Sequence, residues 1–263
     1  MCIRDRGSTG VPTGVEVTHR QLSASTNARA QFYSQEASAF AVLSSISFDS
    51  SIVGLFWTLA CGGTIVLPTE DEAHDIDALA HLFSRRRLSH ALCVPTLYQA
   101  LLRRRNADGT WPAHVIVAGE SCPKDLVDQH HRIVATSALT NEYGPTEATV
   151  WATAHRCAPT DGPVPIGRPI AGTWAAVVSA NTVVPRGVAG ELVLGGAGIT
   201  AGYFNDADLT GERFGSTDEL ISAAALPEGP TFRSGDTVRL DACLLYTSPS
   251  PRDATLSRMP SSA

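Results

Sequence analysis

Between residues 64 and 143, short apolar runs alternate with stretches of helical periodicity, and that alternation leaves few folds open. Thr64-Ile65-Val66-Leu67, Ala91-Leu92-Cys93-Val94 and His114-Val115-Ile116-Val117 read as buried strands. Asp75 stands as an N-cap before Ile76, Leu79, Leu82 and Phe83 at helical spacing, and Pro95, tolerated in a first turn, opens a segment carrying Leu97, Leu101 and Leu102. Residues 123–134 form a further helix before the strand that leads into Tyr143. Strands separated by helices of this length predict a parallel sheet with crossover helices. Upstream, Val15 to His19 reads as a short strand, Thr18 as the cap of a helix running to about Tyr33, and Phe40-Ala41-Val42-Leu43 as a strand. Ile52 to Ala60 reads as an apolar helix ended by Gly62-Gly63. Ligands of such sheets sit beyond the carboxyl ends of the strands. Asp49, Ala118-Gly119-Glu120 and Asn141 to Glu147 all fall there.

From about Pro163 the texture changes to short apolar runs broken by Gly and Pro: Val177-Val178, Val183-Val184-Pro185, Gly190-Glu191-Leu192-Val193-Leu194. This predicts antiparallel strands. The expected fold is therefore α/β: a parallel sheet with crossover helices, then a small antiparallel β-barrel-like subdomain. Residues 7–160 would form the first part and 161–242 the second. Residues 1–6 and 243–263 resemble translated adapter sequence or a disordered Ser/Pro-rich tail, and are expected to lie outside the fold.

Composition closes off other classes. The 263 residues carry 26 acidic and 20 basic side chains, a net charge of −6, with no basic patch for nucleic acid. Arg85-Arg86-Arg87 and Arg103-Arg104-Arg105 each close a helical pattern, where cations suit the helix dipole. No apolar run reaches membrane-spanning length. The six cysteines include no Cys-x-x-Cys pair, which points away from metal and disulfide use and toward a reducing, cytoplasmic setting. His130-His131 are expected on the surface. Lys124, the only lysine, follows a Cys-Pro helix start and is expected to be a solvated charge.

The candidate chemistry centres on Asn141-Glu142-Tyr143-Gly144-Pro145-Thr146-Glu147. A ring offers a flat face to a base, Gly-Pro forces a sharp turn, a hydroxyl donates to phosphate, and a carboxylate is a hard ligand for Mg²⁺. An ordinary polar turn after a strand would also account for the stretch. Asp49, in Ser47-Phe48-Asp49-Ser50-Ser51, is either a helix N-cap or a carboxylate awaiting a cation. The loop Gly7-Ser8-Thr9-Gly10-Val11-Pro12-Thr13-Gly14 can turn backbone N–H groups toward a phosphate, or serve as a linker. Asp236, in Phe232-Arg233-Ser234-Gly235-Asp236, is either a turn residue or a bidentate acceptor.

In this order the motifs resemble those of the adenylate-forming superfamily, and especially the adenylation domains of non-ribosomal peptide synthetases. The resemblance implies that Tyr143 packs on adenine, Thr146 touches the α-phosphate and Glu147 holds Mg²⁺, with Thr146 and Glu147 serving the reaction directly. It implies that Ser8, Thr9 and Gly10 cradle phosphate, although Thr13 stands where the family has lysine, and that Gly119 and Glu120 join the nucleotide site. Asp236 would accept from both ribose hydroxyls, with Arg239 near ribose and phosphate. Asp49 would pair with the α-ammonium group of an amino acid, although Gly54 lies near where the family often has glutamate. By the same resemblance Asp49, Ser50, Val53, Leu92, Ile116, Ala118, Glu142, Val150 and Trp151 line the side-chain pocket. Glu142 departs from the mostly apolar set and, as a buried carboxylate, needs a partner, which suggests a substrate with a cationic or phenolic end. Gly190 to Phe204 resembles a glycine-rich family motif serving tight turns.

The activity implied is activation of an amino acid by ATP and Mg²⁺ to aminoacyl-AMP and pyrophosphate. Loading onto the phosphopantetheine thiol of a partner carrier domain follows, with no nucleic acid or membrane partner. The alternatives are an acyl-CoA synthetase type of ligase, for which Asp49 would have no counter-charge, and a catalytically dead nucleotide-binding remnant. The resemblance covers about residues 7–240. The family's essential lysine belongs to a small C-terminal domain outside that span, so binding without efficient catalysis is the expectation for this polypeptide.

Overall fold

The computed structural model of the chain describes residues 2–6, 12–106, 108–159, 162–222, 226–241 and 244–247. It opens with an antiparallel hairpin, β1 (Cys2–Arg6) on β2 (Pro12–Glu16). Residues 2–6, expected outside the fold, therefore pair as a strand, since main-chain pairing makes few demands on composition. α1 (His19–Phe32) begins at Thr18 as expected. The Thr18 hydroxyl accepts from the Gln21 N–H, and the Gln21 side chain accepts from the Thr18 N–H at 2.7 Å. Two backbone donors at the helix start are thus satisfied reciprocally. Thr18→Ala is expected to cost about 1 kcal/mol, read as a melting temperature lowered by roughly 2–4 °C.

Strands and helices then alternate. β3 (Ala39–Val42) leads to α2, residues 50–60, which is not the uniform helix that its apolar run suggests. Its middle, Val53–Trp57, is a π-helical turn. Gly54 sits there against β3, where a Cβ would collide with the Val42 and Phe40 side chains. The wider turn accommodates that approach while Val53 and Trp57 both stay buried. β4 (Thr64–Val66) and the short α3 (Glu70–Ala73) precede α4 (Ile76–Arg85). Asp75 caps α4, accepting from the N–H groups of Asp77 and Ala78. β5 (His90–Cys93), α5 (Pro95–Arg103), β6 (His114–Val117), α6 (Lys124–Ile133) and β7 (Ala138–Tyr143) complete the run. β8 (Thr153–Arg156) and β9 (Arg168–Pro169) then add antiparallel. The sheet order is β4-β3-β5-β6-β7-β8-β9, parallel from β4 to β7.

β10 (Thr173–Ser179), β11 (Thr182–Val183), β12 (Ala189–Gly196), β13 (Phe214–Ser216), β14 (Pro230–Asp241) and β15 (Leu244–Thr247) form a second sheet, with α7 (Ala207–Arg213) beside it. Its order is β11-β10-β12-β14-β13, with β15 also on β14. Past β13, Ile221 bridges Thr182 of β11, so the two ends of the sheet are tied and the subdomain is barrel-like. The glycines of the β12 region serve close approach as well as turning: at Gly195 a Cβ would strike the Trp174 ring, and at Gly196 (φ 118°) the Gly172 carbonyl. Residues 244–247 were expected outside the fold. They lie on β14 because Leu245 is buried and exchanges main-chain hydrogen bonds with Gly167.

His130 departs from its expected surface position. It continues the buried stripe Leu126, Val127, His130 of α6 and is fully enclosed, accepting from the Tyr98 hydroxyl at 2.6 Å and donating to the Ser137 carbonyl at 2.8 Å. Lys124 pairs with Asp128 one turn along the same helix. No helix among the described residues is long and apolar enough to cross a membrane.

Candidate active site

β7 delivers Glu142 and Tyr143 to the rim of the first sheet, and the chain then turns back on itself. Ala152 N–H returns to the Tyr143 carbonyl at 2.8 Å, closing the loop 144–151. Gly144 is required here, because any Cβ would overlap the Trp151 backbone. Thr149 (φ 56°) and Val150 (φ 79°) both lie in the left-handed region, a strained arrangement for β-branched side chains. Neighbours hold it: Thr149 Oγ1 donates to the Gly198 carbonyl at 2.6 Å, Ser25 Oγ donates to the Thr149 carbonyl at 2.9 Å, and Trp151 Nε1 donates to the Ser25 carbonyl at 3.2 Å.

Side chains distant in sequence meet around this loop. Thr146 Oγ1 donates to Asp49 Oδ2 at 2.7 Å, across 97 positions. Asp49 stands at the N-cap position of α2, but its side chain makes no capping hydrogen bond there. Tyr143 OH donates to Asp236 Oδ2 at 2.5 Å, across 93 positions. Burial, and then the Asp236 carboxylate, push the Tyr143 phenol well above its usual range, so it stays a neutral donor. Tyr203 OH donates to Glu147 Oε1, and the Glu147 carbonyl accepts from the Thr200 N–H at 2.9 Å. A hydroxyl thus meets a carboxylate three times along one rim.

Behind the rim lies a polar cluster inside the core. Glu142 is 3% exposed, and its Oε1 accepts from Arg29 Nη1 at 2.6 Å and from Tyr33 OH. The partner that a buried carboxylate demands is therefore a cation and a phenol of this same chain, which corrects the expectation that the substrate supplies one. Burial, and then Glu142, hold the Tyr33 phenol protonated. Arg29 is 1% exposed and its guanidinium carbon lies 4.1 Å from the centroid of the Trp151 ring. His114 contacts the Tyr33 ring edge-on and stacks with His90.

The remaining candidates sort clearly. Val53, Leu92, Ile116 and Trp151 share one buried cluster, with Val150 packed against it. Ser50 bonds Ser44 at 2.9 Å, and Ala118 is half-buried at the end of β6. Gly119 (φ 83°) needs its glycine, but the Glu120 carboxylate turns to α5, accepting from Thr96 N and Oγ1 at 3.1 Å, so it caps a helix. Arg239, expected near ribose and phosphate, has a partner on its own strand. It is half-exposed and ion-paired with Asp241 two residues along β14, which puts both on one strand face. Ser8, Thr9 and Gly10 lie outside the described residues. Arg29, Tyr33, Ser25 and Tyr203 were not marked in the sequence. Ser25 and Arg29 stand four apart on a buried stripe of α1 with Leu22 and Ala28, which is the signal that an inward arginine leaves.

Comparison with known proteins gives the family. The AMP-binding enzyme profile matches residues 7–204. The chain is 37% identical over 236 residues to a plipastatin synthase component of Bacillus subtilis, covering 89% of this chain and 6% of that protein. It is 38% identical over 240 residues to the phosphinothricin tripeptide synthetase PhsC of Streptomyces viridochromogenes, covering 90% and 21%. It therefore spans a small part of the length of these relatives. The crystal structure of the nonribosomal peptide synthetase FmoA3 (S1046A) in its AMPPNP-bound form superposes with a TM-score of 0.82 at 26% identity, covering 94% of this chain and 27% of that one. The chain belongs to the AMP-binding enzyme family, on the nonribosomal peptide synthetase branch of the adenylate-forming superfamily.

Proposed function

We propose that the chain is the nucleotide- and amino-acid-binding part of an adenylating enzyme. The parent protein joins an amino-acid carboxylate to the α-phosphorus of ATP, releases pyrophosphate, and passes the aminoacyl group to the phosphopantetheine thiol of a carrier domain. The observation that carries this is the convergence of Asp49, Thr146, Tyr143 and Asp236 on one rim through two hydrogen bonds. A carboxylate beside an aromatic ring suits a ribose on an adenine, since it only accepts and can take two hydroxyls. Asp49 is the carboxylate for an α-ammonium group, and Thr146 carries the donor between that group and the phosphate.

Glu147 suits Mg²⁺ as one ligand of a set. Among the described residues no group of three or more His, Cys, Asp or Glu side chains could hold a metal alone. Magnesium, however, is usually held by one or two carboxylates together with substrate phosphates and water. When bound, it neutralises charge on the phosphates. The residues' own contribution is to hold acid and nucleotide in line and to place donors where charge develops.

Calorimetric titration tests this reading. The chain is expected to bind AMP, with Asp236→Asn weakening it by about tenfold or more, the worth of one charge-assisted hydrogen bond. Asp49→Asn is expected to weaken amino-acid binding by about thirtyfold or more while leaving AMP unchanged. Equal losses of both ligands in both variants would contradict two separate subsites.

A further inference from the structure

Arg29 contains a buried donor with nothing to bond. Its Nη1 is spent on Glu142, but Nη2 is enclosed with no hydrogen-bond partner. Glu142 and Trp151, which Arg29 touches, both belong to the proposed side-chain pocket, so the orphan donor sits on a residue that adjoins two of its members. Leaving such a group unpaired is costly, and folded proteins tolerate it where water or a ligand completes the bond.

The charge balance of the wall narrows what that ligand is. Arg29 offsets Glu142, and the neutral Tyr33 phenol adds a second donor to the same carboxylate oxygen. This part of the wall, the Arg29–Glu142 pair, therefore carries no net charge, and the N–H donors on Nη2 remain unspent. A side chain ending in ammonium meets the guanidinium, and one ending in carboxylate sets a second anion beside Glu142. Length is limited as well, because Tyr33, Trp57 and Trp151 are buried together with Val53, Leu92 and Ile116 in one cluster.

We propose that Arg29 is a specificity-determining residue, and that the site takes an amino acid with a short, uncharged, hydroxyl-bearing side chain whose oxygen accepts from Nη2. The proposal rests on the amino-acid-binding reading above and deepens it.

The test is a titration of the AMP-saturated chain with L-serine, L-alanine, L-ornithine and L-aspartate, followed by the fluorescence of the buried tryptophans. Serine is expected to bind about tenfold or more tighter than alanine, with ornithine and aspartate weaker than both. Arg29→Met combined with Glu142→Gln removes the donor without stranding a charge, and is expected to bring the serine-to-alanine ratio to near one. Arg29→Lys keeps the charge, loses the forked second nitrogen, and serves the same comparison if the double variant fails to fold. A preference for ornithine, or a serine-to-alanine ratio unchanged in the variants, overturns the proposal and leaves amino-acid binding standing. Binding of none of the four, with AMP still bound, overturns the amino-acid reading and this proposal with it.

Discussion

Arg29→Met alone is expected to destabilise the chain by about 3–5 kcal/mol, because it strands Glu142 in the core without its cation. The two side chains are each 2% exposed, so no solvent relieves the charge. Glu142→Gln alone is expected to be comparably costly, for it leaves the guanidinium as the uncompensated partner. The double variant is expected to recover most of the loss, since two neutral groups of similar shape can replace a buried ion pair at little net cost. A urea-denaturation cycle over the four proteins checks this. Additive single losses would mean that the pair is not a coupled unit.

Acid is expected to destabilise the fold well above the pH at which carboxylates titrate. Burial lowers His90 to about 3, with His114 as the next cause. Burial also lowers His114 and His130 to about 4, aided by Arg156 and His131 respectively, although the Ser137 carbonyl bond opposes the shift at His130. The ordinary value in an unfolded chain is 6.5, so between about pH 6.5 and 4 the unfolded state binds more protons. Stability contributed by the three rings is complete above pH 6.5 and is lost as pH falls, until the folded rings themselves protonate. By pH 5 the loss is about 2 kcal/mol per histidine, or roughly 6 kcal/mol together. That is a large share of the ~5–15 kcal/mol that usually holds a domain. Urea midpoints at pH 7.5, 6 and 5 are expected to fall steadily, and His130→Gln to remove about a third of the slope. A flat profile across that range would contradict the enclosure of these rings.

What could be read from the sequence was what local chemistry decides. Thr18, Asp75 and Pro95 each mark a helix start through groups within a few residues, and each starts one. The parallel sheet followed from the spacing of strands and helices, and the convergence of Asp49, Tyr143 and Asp236 from motif order. What could not be read depends on distant partners. Glu142 plainly needed a counterpart, but Arg29 lies 113 positions away and only the folded core brings it there. His130 reads as half of a surface pair until Tyr98 and Ser137 are known to enclose it. The π-turn of α2 answers to the closeness of β3 at Gly54, which no helical periodicity records. Glu120 and Arg239 occupy motif positions, yet each answers first to a neighbour, Thr96 and Asp241.

The tie between Thr182 and Ile221 bears on solubility. An unpaired outer strand is a template on which a second molecule can add, and a sheet whose ends are joined offers little of it. The first sheet is different. One of its two outer strands, β4, is hydrogen-bonded on one side to β3, and Leu59 and Leu67 stand exposed around it. That border is where a second copy could add, and charged residues in place of Leu59 and Leu67 are expected to lower any light-scattering at high concentration without touching the rim where Tyr143 and Asp49 meet their partners.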